Sequence, residues 1–302
     1  MKPTVVFILS DKRSGSTFLE RELARHPLIQ HVAYTPHTYN ETHYWVKAAR
    51  LLEMPEQLFS GEEYPGSYGG VKKTRDSLIT TIKGNVADFV VPDDDRELVF
   101  KGWDALCAAY AKPVFIEKSP HHIHNWAALE LMLEWMGQTD TPVLFIGLIR
   151  NPMSVMYSAF QLFGTDPAQR QFGWMRATQN LVLLERLLGE EAFRWVRYEN
   201  LVEQPEWEFS RLCEFIGVDF MHDMGASAHT KSKRLWEADP VFRLQLDPAV
   251  KRLAICFGYS QGDLHNPQKP ELPLSKRIQH RIGNSCRRYY SRLYNLYKRM
   301  QG

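Results

Sequence analysis

Two short stretches, Val5 to Leu9 and Val143 to Ile149, contain no charged or hydrogen-bonding side chain. Both are far below the ~18 apolar residues that mark a membrane span. Each runs straight into a helical pattern. A strand apolar on both faces is buried on both faces, and strands alternating with helices build a mainly parallel sheet covered by helices. The expected order begins with strand Thr4–Ser10, a loop, and helix Thr17–His26, which Pro27 stops. A polar, aromatic segment follows from Tyr34 to Tyr44. Residues 60–97, rich in Gly, Pro and Asp, read as a long surface excursion with a helix near 74–90. Strand Val114–Lys118 precedes helix His122–Met136, and strand Val143–Arg150 precedes helix Met153–Phe163. Helix Phe172–Leu188 leads to strand Arg194–Tyr198. After Pro205, helix Trp207–Ile216 ends at Gly217, a residue suited to a left-handed helix terminus.

The composition of the 302 residues, 44% hydrophobic and 24% charged, is that of a globular chain of one or two domains. No secretory apolar segment opens it, because Ser10-Asp11-Lys12-Arg13 interrupts the first apolar run. A cytoplasmic location is therefore expected. Cys107, Cys213, Cys256 and Cys286 are widely spaced, so neither a disulfide framework nor a zinc site is expected, and free core thiols are.

Charge is uneven. The net charge is +2, yet Asp263 to Gly302 holds nine Lys or Arg against two acids. The body is thus mildly acidic and the tail basic. Pro267, Pro270 and Pro273 set off a final amphipathic helix from Leu274 to Met300, bent at Gly283-Asn284. The division expected is a domain over 1–262 and a linker plus basic helical tail over 263–302. Such a helix can dock on the acidic body, within the chain or across a homodimer. It can also lie on an anionic membrane surface. Docking is favoured, since Tyr and His interrupt the apolar face. Nucleic acid is not expected as a partner, because no second basic cluster accompanies the tail.

Three stretches can carry chemistry. The first is the loop Lys12-Arg13-Ser14-Gly15-Ser16-Thr17 with Phe18, lying between a strand and a helix. Unpaired N–H groups and the dipole at a helix start favour an anion, and small residues let a phosphate approach. A plain capping turn with surface basic residues is an equal reading of the loop alone. The loop lacks the G-K-[ST] ending that serves magnesium nucleotides. The second stretch carries Arg150 at a strand's carboxyl end, Asn151-Pro152 opening a helix, and Ser158 two turns along it. An arginine fork there suits a phosphate. The third is Glu117-Lys118-Ser119-Pro120, where Lys118 also ends a strand.

In order and spacing these motifs resemble those of sulfotransferases that use 3′-phosphoadenosine 5′-phosphosulfate (PAPS). The loop Arg13 to Thr17 looks like their 5′-phosphosulfate loop. Arg150 with Ser158 looks like their 3′-phosphate motif, and Glu117 to Pro120 like their E-K-[ST]-P segment. Tyr198-Glu199-Asn200-Leu201 with Pro205 resembles their Y-E-[DN]-L…P segment, and Phe257-Gly258-Tyr259 their closing L-G-Y. The resemblance spans roughly residues 4–262 and implies a P-loop-like α/β fold and metal-free transfer of a sulfuryl group. The acceptor would be a hydroxyl or amine of a small molecule or carbohydrate, and the product 3′-phosphoadenosine 5′-phosphate (PAP). It further implies that Arg13 stabilises the leaving phosphate and Lys118 the sulfuryl group. Lys12 and Ser14 to Phe18 would line the 5′-phosphate, and Arg150 and Ser158 the 3′-phosphate. Tyr198 would contact adenine, and Lys231, Lys233 and Arg234 are candidates for the family's further basic contact. For the base, Glu41 ranks before His122 and His43, with His37 in the same segment. A P-loop nucleotide kinase or NTPase, and a non-catalytic module of the same fold, are the alternatives.

Overall fold

The structure, a computed structural model, describes residues 2–54, 69–267, 269 and 273. The chain divides into two compact units, Met1–Ile149 with Arg176–Ala228, and Arg150–Met175 with His229–Gly302.

The first unit holds five parallel strands in the order β2-β3-β1-β4-β5. They are β1 (Thr4–Ser10), β2 (Ile29–Gln30), β3 (Val114–Lys118), β4 (Val143–Ile149) and β5 (Phe193–Arg197). The two apolar runs are the central neighbours, β1 pairing with β4 from Val5↔Val143 to Ser10↔Leu148. Alternation along β1 divides its side chains between two cores. Val5, Phe7 and Leu9 join Phe115, Phe145, Trp45, Trp103 and Trp135 on one face. Val6 and Ile8 join Ile116, Ile146, Leu148, Leu19 and Leu23 on the other. Phe7 stacks on Trp103 at 5.5 Å and meets Trp135 edge-on at 6.4 Å. Truncating so enclosed a ring costs about 3–5 kcal/mol, so Phe7→Ala would be among the most damaging changes in the sheet. On β4, a Cβ at Gly147 would lie 2.4 Å from the Phe193 ring, so only glycine lets β5 approach.

Helix α1 (Ser16–Leu23) packs on β1 and β3. Helix α2 (Tyr44–Leu51) packs against α3 (Val71–Lys83) and α5 (Trp126–Met136), and α3 packs against α4 (Asp95–Tyr110). The helix expected near 74–90 is α3, shifted to Val71–Lys83, while the surface excursion expected around it is corrected by the packing of α3 and by α4, and residues 60–68 lie outside the described residues. Leu78 and Ile82 of α3 are core residues, as are Leu98, Trp103 and Leu106 of α4. Gly- and Asp-rich flanks masked them: Asp94 is the cap of α4, its carboxylate accepting from Glu97 N–H at 2.8 Å. The helix expected from His122 instead starts at Trp126, because residues 122–124 form a 3₁₀ turn and Asn125 caps α5. Helices α8 (Tyr198–Glu203) and α9 (Pro205–Ile216) follow β5, and Gly217 ends α9 at φ 83°.

The second unit contains α6 (Pro152–Phe163), the start of α7 (Pro167–Leu188, in the first unit from Arg176 on), α10 (Leu235–Ala238) and α11 (Pro248–Cys256). Asn151 accepts from Met153 N–H at 2.8 Å and Pro152 takes the first helical position, which needs no donor. The chain past residue 262 continues to pack here. Asn266 is 1% exposed and its amide donates to Phe242 O and Leu244 O, while Lys269 donates to three carbonyls, those of Trp236, Asp239 and Phe242. The expected helix Leu274–Met300 lies outside the described residues. Cys107 and Cys213 are buried free thiols, whereas Cys256 is exposed rather than in the core, and Cys286 lies outside the described residues. Among the described residues no helix is long and apolar enough to cross a membrane.

Candidate active site

The loop between β1 and α1 is held from beneath. Asp11 is buried with its carboxylate 2.8 Å from His124 Nε2, and its carbonyl accepts from Ser14 N–H at 3.2 Å. Arg13 and Gly15 both take the left-handed conformation, at φ 74° and 97°. At Gly15 glycine is required twice over, because a Cβ would also lie 2.3 Å from the Tyr198 ring. Tyr198, at the head of α8, therefore packs directly on the loop. Helix α1 starts after Gly15 without a side-chain cap. Ser14 is 1% exposed and its hydroxyl has no hydrogen-bond partner. A buried orphan hydroxyl beside an uncapped helix start has the chemistry to accept an anion. Lys12, Arg13, Thr17 and Phe18 are half-buried, Ser16 is buried, and Phe18 meets Phe209 edge-on at 6.2 Å.

The end of β3 carries the site's charge. Register places Glu117 opposite Phe7 and Lys118 opposite Ile8. Lys118 is fully buried. Its ammonium donates to Tyr39 O at 2.7 Å and lies 3.2 Å from Glu41 Oε1 and 3.5 Å from Glu20 Oε2. A buried cation needs such partners, since desolvation without them costs several kcal/mol. Tyr39, Asn40 and His43 all have positive φ, at 64°, 55° and 52°. This uncommon backbone in the segment before α2 turns the Tyr39 carbonyl and the Glu41 carboxylate onto one ammonium.

Glu41 and His43 form a second pair, with Oε2 and Nε2 2.9 Å apart. Burial pushes the Glu41 carboxyl up, but the His43 hydrogen bond and the Lys118 charge outweigh it, and Glu41 sits below the ordinary carboxylate range. Burial lowers His43, against the pull of Glu41. The imidazole of His43 stacks on those of His37 and His121, at 4.1 and 4.0 Å. His121 is driven well below its usual range by burial and by the charges of His43 and Lys12. Glu41, His43 and His121 bring donor atoms within 4.8 Å of one another, although the face-to-face rings cannot both aim a nitrogen at one point as they stand.

Behind this layer is Glu117. Thr42 donates to it at 2.6 Å, Ser119 also donates to it, and His122 Nε2 lies 3.4 Å away. Against the upward push of burial, the His122 charge and these hydrogen bonds hold Glu117 at about 2. His122 is 0% exposed and faces Glu117, whereas Glu41 touches Lys118 and His43 pairs with Glu41. Buried Lys47 donates to Thr42 O at 3.0 Å and is pushed down to about 8 by burial.

In the second unit Arg150 is 7% exposed, donates to Ser232 O at 2.9 Å, and its carbonyl accepts from the Trp174 indole at 3.0 Å. Ser154 of α6 donates to Lys233 O, which fixes the 231–234 turn to the helix that also bears half-buried Ser158. Lys231 and Arg234 are exposed and Lys233 half-buried. Arg234 is engaged by Glu237 at 2.6 Å and Asp263 at 3.7 Å.

Sequence reasoning missed Glu20, Glu117 as a site residue, Thr42 and His121. Glu20 had a signal: it lies between Leu19 and Leu23 of α1, where a solvent-facing acid is unexpected, and it is 3% exposed.

A family model described as the sulfotransferase family matches residues 3–223. No curated protein matches the chain. The fold is similar to the sulfotransferase domain from the Synechococcus PCC 7002 olefin synthase, with a TM-score of 0.59 and 21% identity over 86% of this chain and 96% of that one. It is also similar to the sulfotransferase domain from the curacin biosynthetic pathway, with a TM-score of 0.56 and 20% identity over 85% and 98%. These likenesses show the fold, and the family match shows the kinship: the chain belongs to the sulfotransferase family.

Proposed function

We propose that the protein transfers a sulfuryl group from PAPS to a hydroxyl or amine of a small-molecule or sugar acceptor, releasing PAP. The observation that carries this reading is the buried Lys118 ammonium, 3.2 Å from the Glu41 carboxylate and borne on the strand beside the one that opens the phosphate loop. Ser14 to Thr17 and the uncapped start of α1 hold the 5′-phosphate, with Lys12 and Arg13 supplying charge. Tyr198 offers its ring to adenine. To Arg150 and Ser158 we assign the 3′-phosphate, the group that separates PAPS from ATP, with Lys231 and Lys233 as further cations. Arg234 already has two acidic partners and is the weakest of these candidates.

Glu41 is the base. It is ionised at neutral pH because His43 and Lys118 stabilise its charge. Once the Lys118 ammonium turns to a sulfuryl oxygen, burial raises the proton affinity of Glu41 at the moment it must take the acceptor's proton. His43 orients Glu41, and His122 fixes Glu117 beneath. Arg13 and Lys118 offset charge on the leaving phosphate and the transferring group.

The test is a thermal-shift series with PAP, AMP, ADP and Mg-ATP. Ligand at 100 times its dissociation constant adds about 2.7 kcal/mol of stability. A large shift with PAP beside a small one with Mg-ATP is expected. The reverse order would favour a nucleotide kinase, and no shift with any of the four would favour a non-catalytic module.

A further inference from the structure

Glu20 has no place in the reaction as described so far, yet it is one of two carboxylates on the essential lysine. It stands on α1, one turn past the phosphate loop, with a side chain 4% exposed. Its Oε2 lies 3.5 Å from Lys118 Nζ, and its Oε1 is buried with no hydrogen-bond partner. Lys118 therefore bridges Glu41 and Glu20, which come from different parts of the chain. Of the charged groups facing Glu20, β3 supplies Lys118 and Glu117, and the segment before α2 supplies Glu41. Strand β1, also packed against α1, contributes no titratable side chain.

We propose that Glu20 is the proton store of the site, resetting Glu41 after each transfer. This rests on the sulfotransferase reading. Transfer forms a bond from the acceptor oxygen to sulfur, breaks the bond from sulfur to the 5′-phosphate oxygen, and leaves the acceptor's proton on Glu41. Lys118 then gives one of its protons to Glu20 and takes the proton of Glu41. Glu41 is a carboxylate again, Lys118 is still an ammonium, and Glu20 is a neutral acid that later releases its proton to water. The charge of the trio is the same before and after the exchange. The exchange itself thus moves no net charge within the buried site, and only the later release to water returns the trio to its starting charge. The unsatisfied Oε1 is the atom the proton can occupy. Burial, opposed by Lys118 and assisted by Glu117 and Glu41, holds the Glu20 carboxyl at about 7, so it can both accept and release a proton near neutrality.

The experiment compares wild type, Glu20→Gln and Glu20→Asp by two readouts. Infrared titration of the protein without ligands follows the carboxylic-acid carbonyl stretch. Wild type should show a band that titrates near pH 7 and is absent from Glu20→Gln. In kinetics, Glu20→Gln should keep PAP affinity and the rate of the first turnover within about twofold. Its steady-state kcat should fall about tenfold, less than the 10²–10⁴ expected for losing the base itself. The kcat profile should also lose its inflection near pH 7, and Glu20→Asp should restore part of both. A band that titrates unchanged in Glu20→Gln overturns the inference whatever the turnover. So does a kcat that falls equally at every pH and in the first turnover, which would make Glu20 a plain ion-pair partner. Should the wild type fail to use PAPS while its band still disappears in Glu20→Gln, the sulfotransferase reading and the resetting role fall together, and only the titrating carboxyl of Glu20 stands.

Discussion

The two units differ in the buried charge they add to a shared use of main-chain carbonyls. In the first, charge meets charge: Lys118 lies between Glu41 and Glu20, and Glu117 faces His122. In the second, cations meet main chain: Arg150 donates to Ser232 O, and Lys269 to the carbonyls of Trp236, Asp239 and Phe242. A side-chain ion cluster tunes proton affinities, because each member's charge depends on its neighbours. A cation on carbonyls commits its donors to main chain and so fixes a turn. In the proposed reading the first arrangement moves protons and the second holds a ligand.

The largest expected effect tests the first half of that contrast. Lys118→Ala and Glu41→Gln should each cut kcat by about 10²–10⁴, with PAP affinity within a few-fold by calorimetry. If Glu41→Gln turns over normally and His122→Ala does not, the proton chemistry belongs to the Glu117–His122 pair instead.

Next comes acid stability. Glu117 titrates at about 2 in the fold against an ordinary 4.5. Because the folded value is the lower, its contribution is present above pH 4.5 and disappears as pH falls from there toward 2. The displacement corresponds to about 3 kcal/mol. Denaturant melts across that window should show wild type losing stability faster than Glu117→Gln; parallel slopes would mean the cluster does not stabilise the Glu117 charge.

The second half of the contrast predicts a smaller, ligand-specific loss. Arg150→Ala should weaken PAP by about 1.5–3 kcal/mol and leave AMP, which lacks the 3′-phosphate, nearly unchanged. Equal weakening of both would assign Arg150 to the Ser232 turn rather than to the ligand. Smallest is removal of the chain after Pro273. Docking of the basic tail predicts a melting temperature lower by about 2–4 °C, or conversion of a dimer to a monomer, with liposome association unchanged. A body equally stable but no longer bound to anionic vesicles would give the tail to the membrane.

Much of the frame was legible because its causes are local. A run such as Val5 to Leu9 can only be buried on both faces, and Gly15, Asn151-Pro152 and Gly217 serve backbone positions that only their residue types fill well. The loop between β1 and α1, Arg150 and Lys118 could be picked out for the same reason, each standing at the end of an element whose period is visible, whereas Glu41 was singled out only through the family resemblance. Helix α4 was not legible, since its residues alternate charge and bulk with only a weak apolar face, and burial against Phe7 and Phe115 decides it. Nor was the acid–base network. Glu20, Glu41 and Glu117 are distant in sequence and alike in type, and nothing local says which of them shares a cation. Proton affinity in a dry site depends on which charges lie within a few ångströms. Packing α1 and the left-handed turn at Tyr39 and Asn40 against the end of β3 sets those distances, and that packing is a property of the tertiary structure alone.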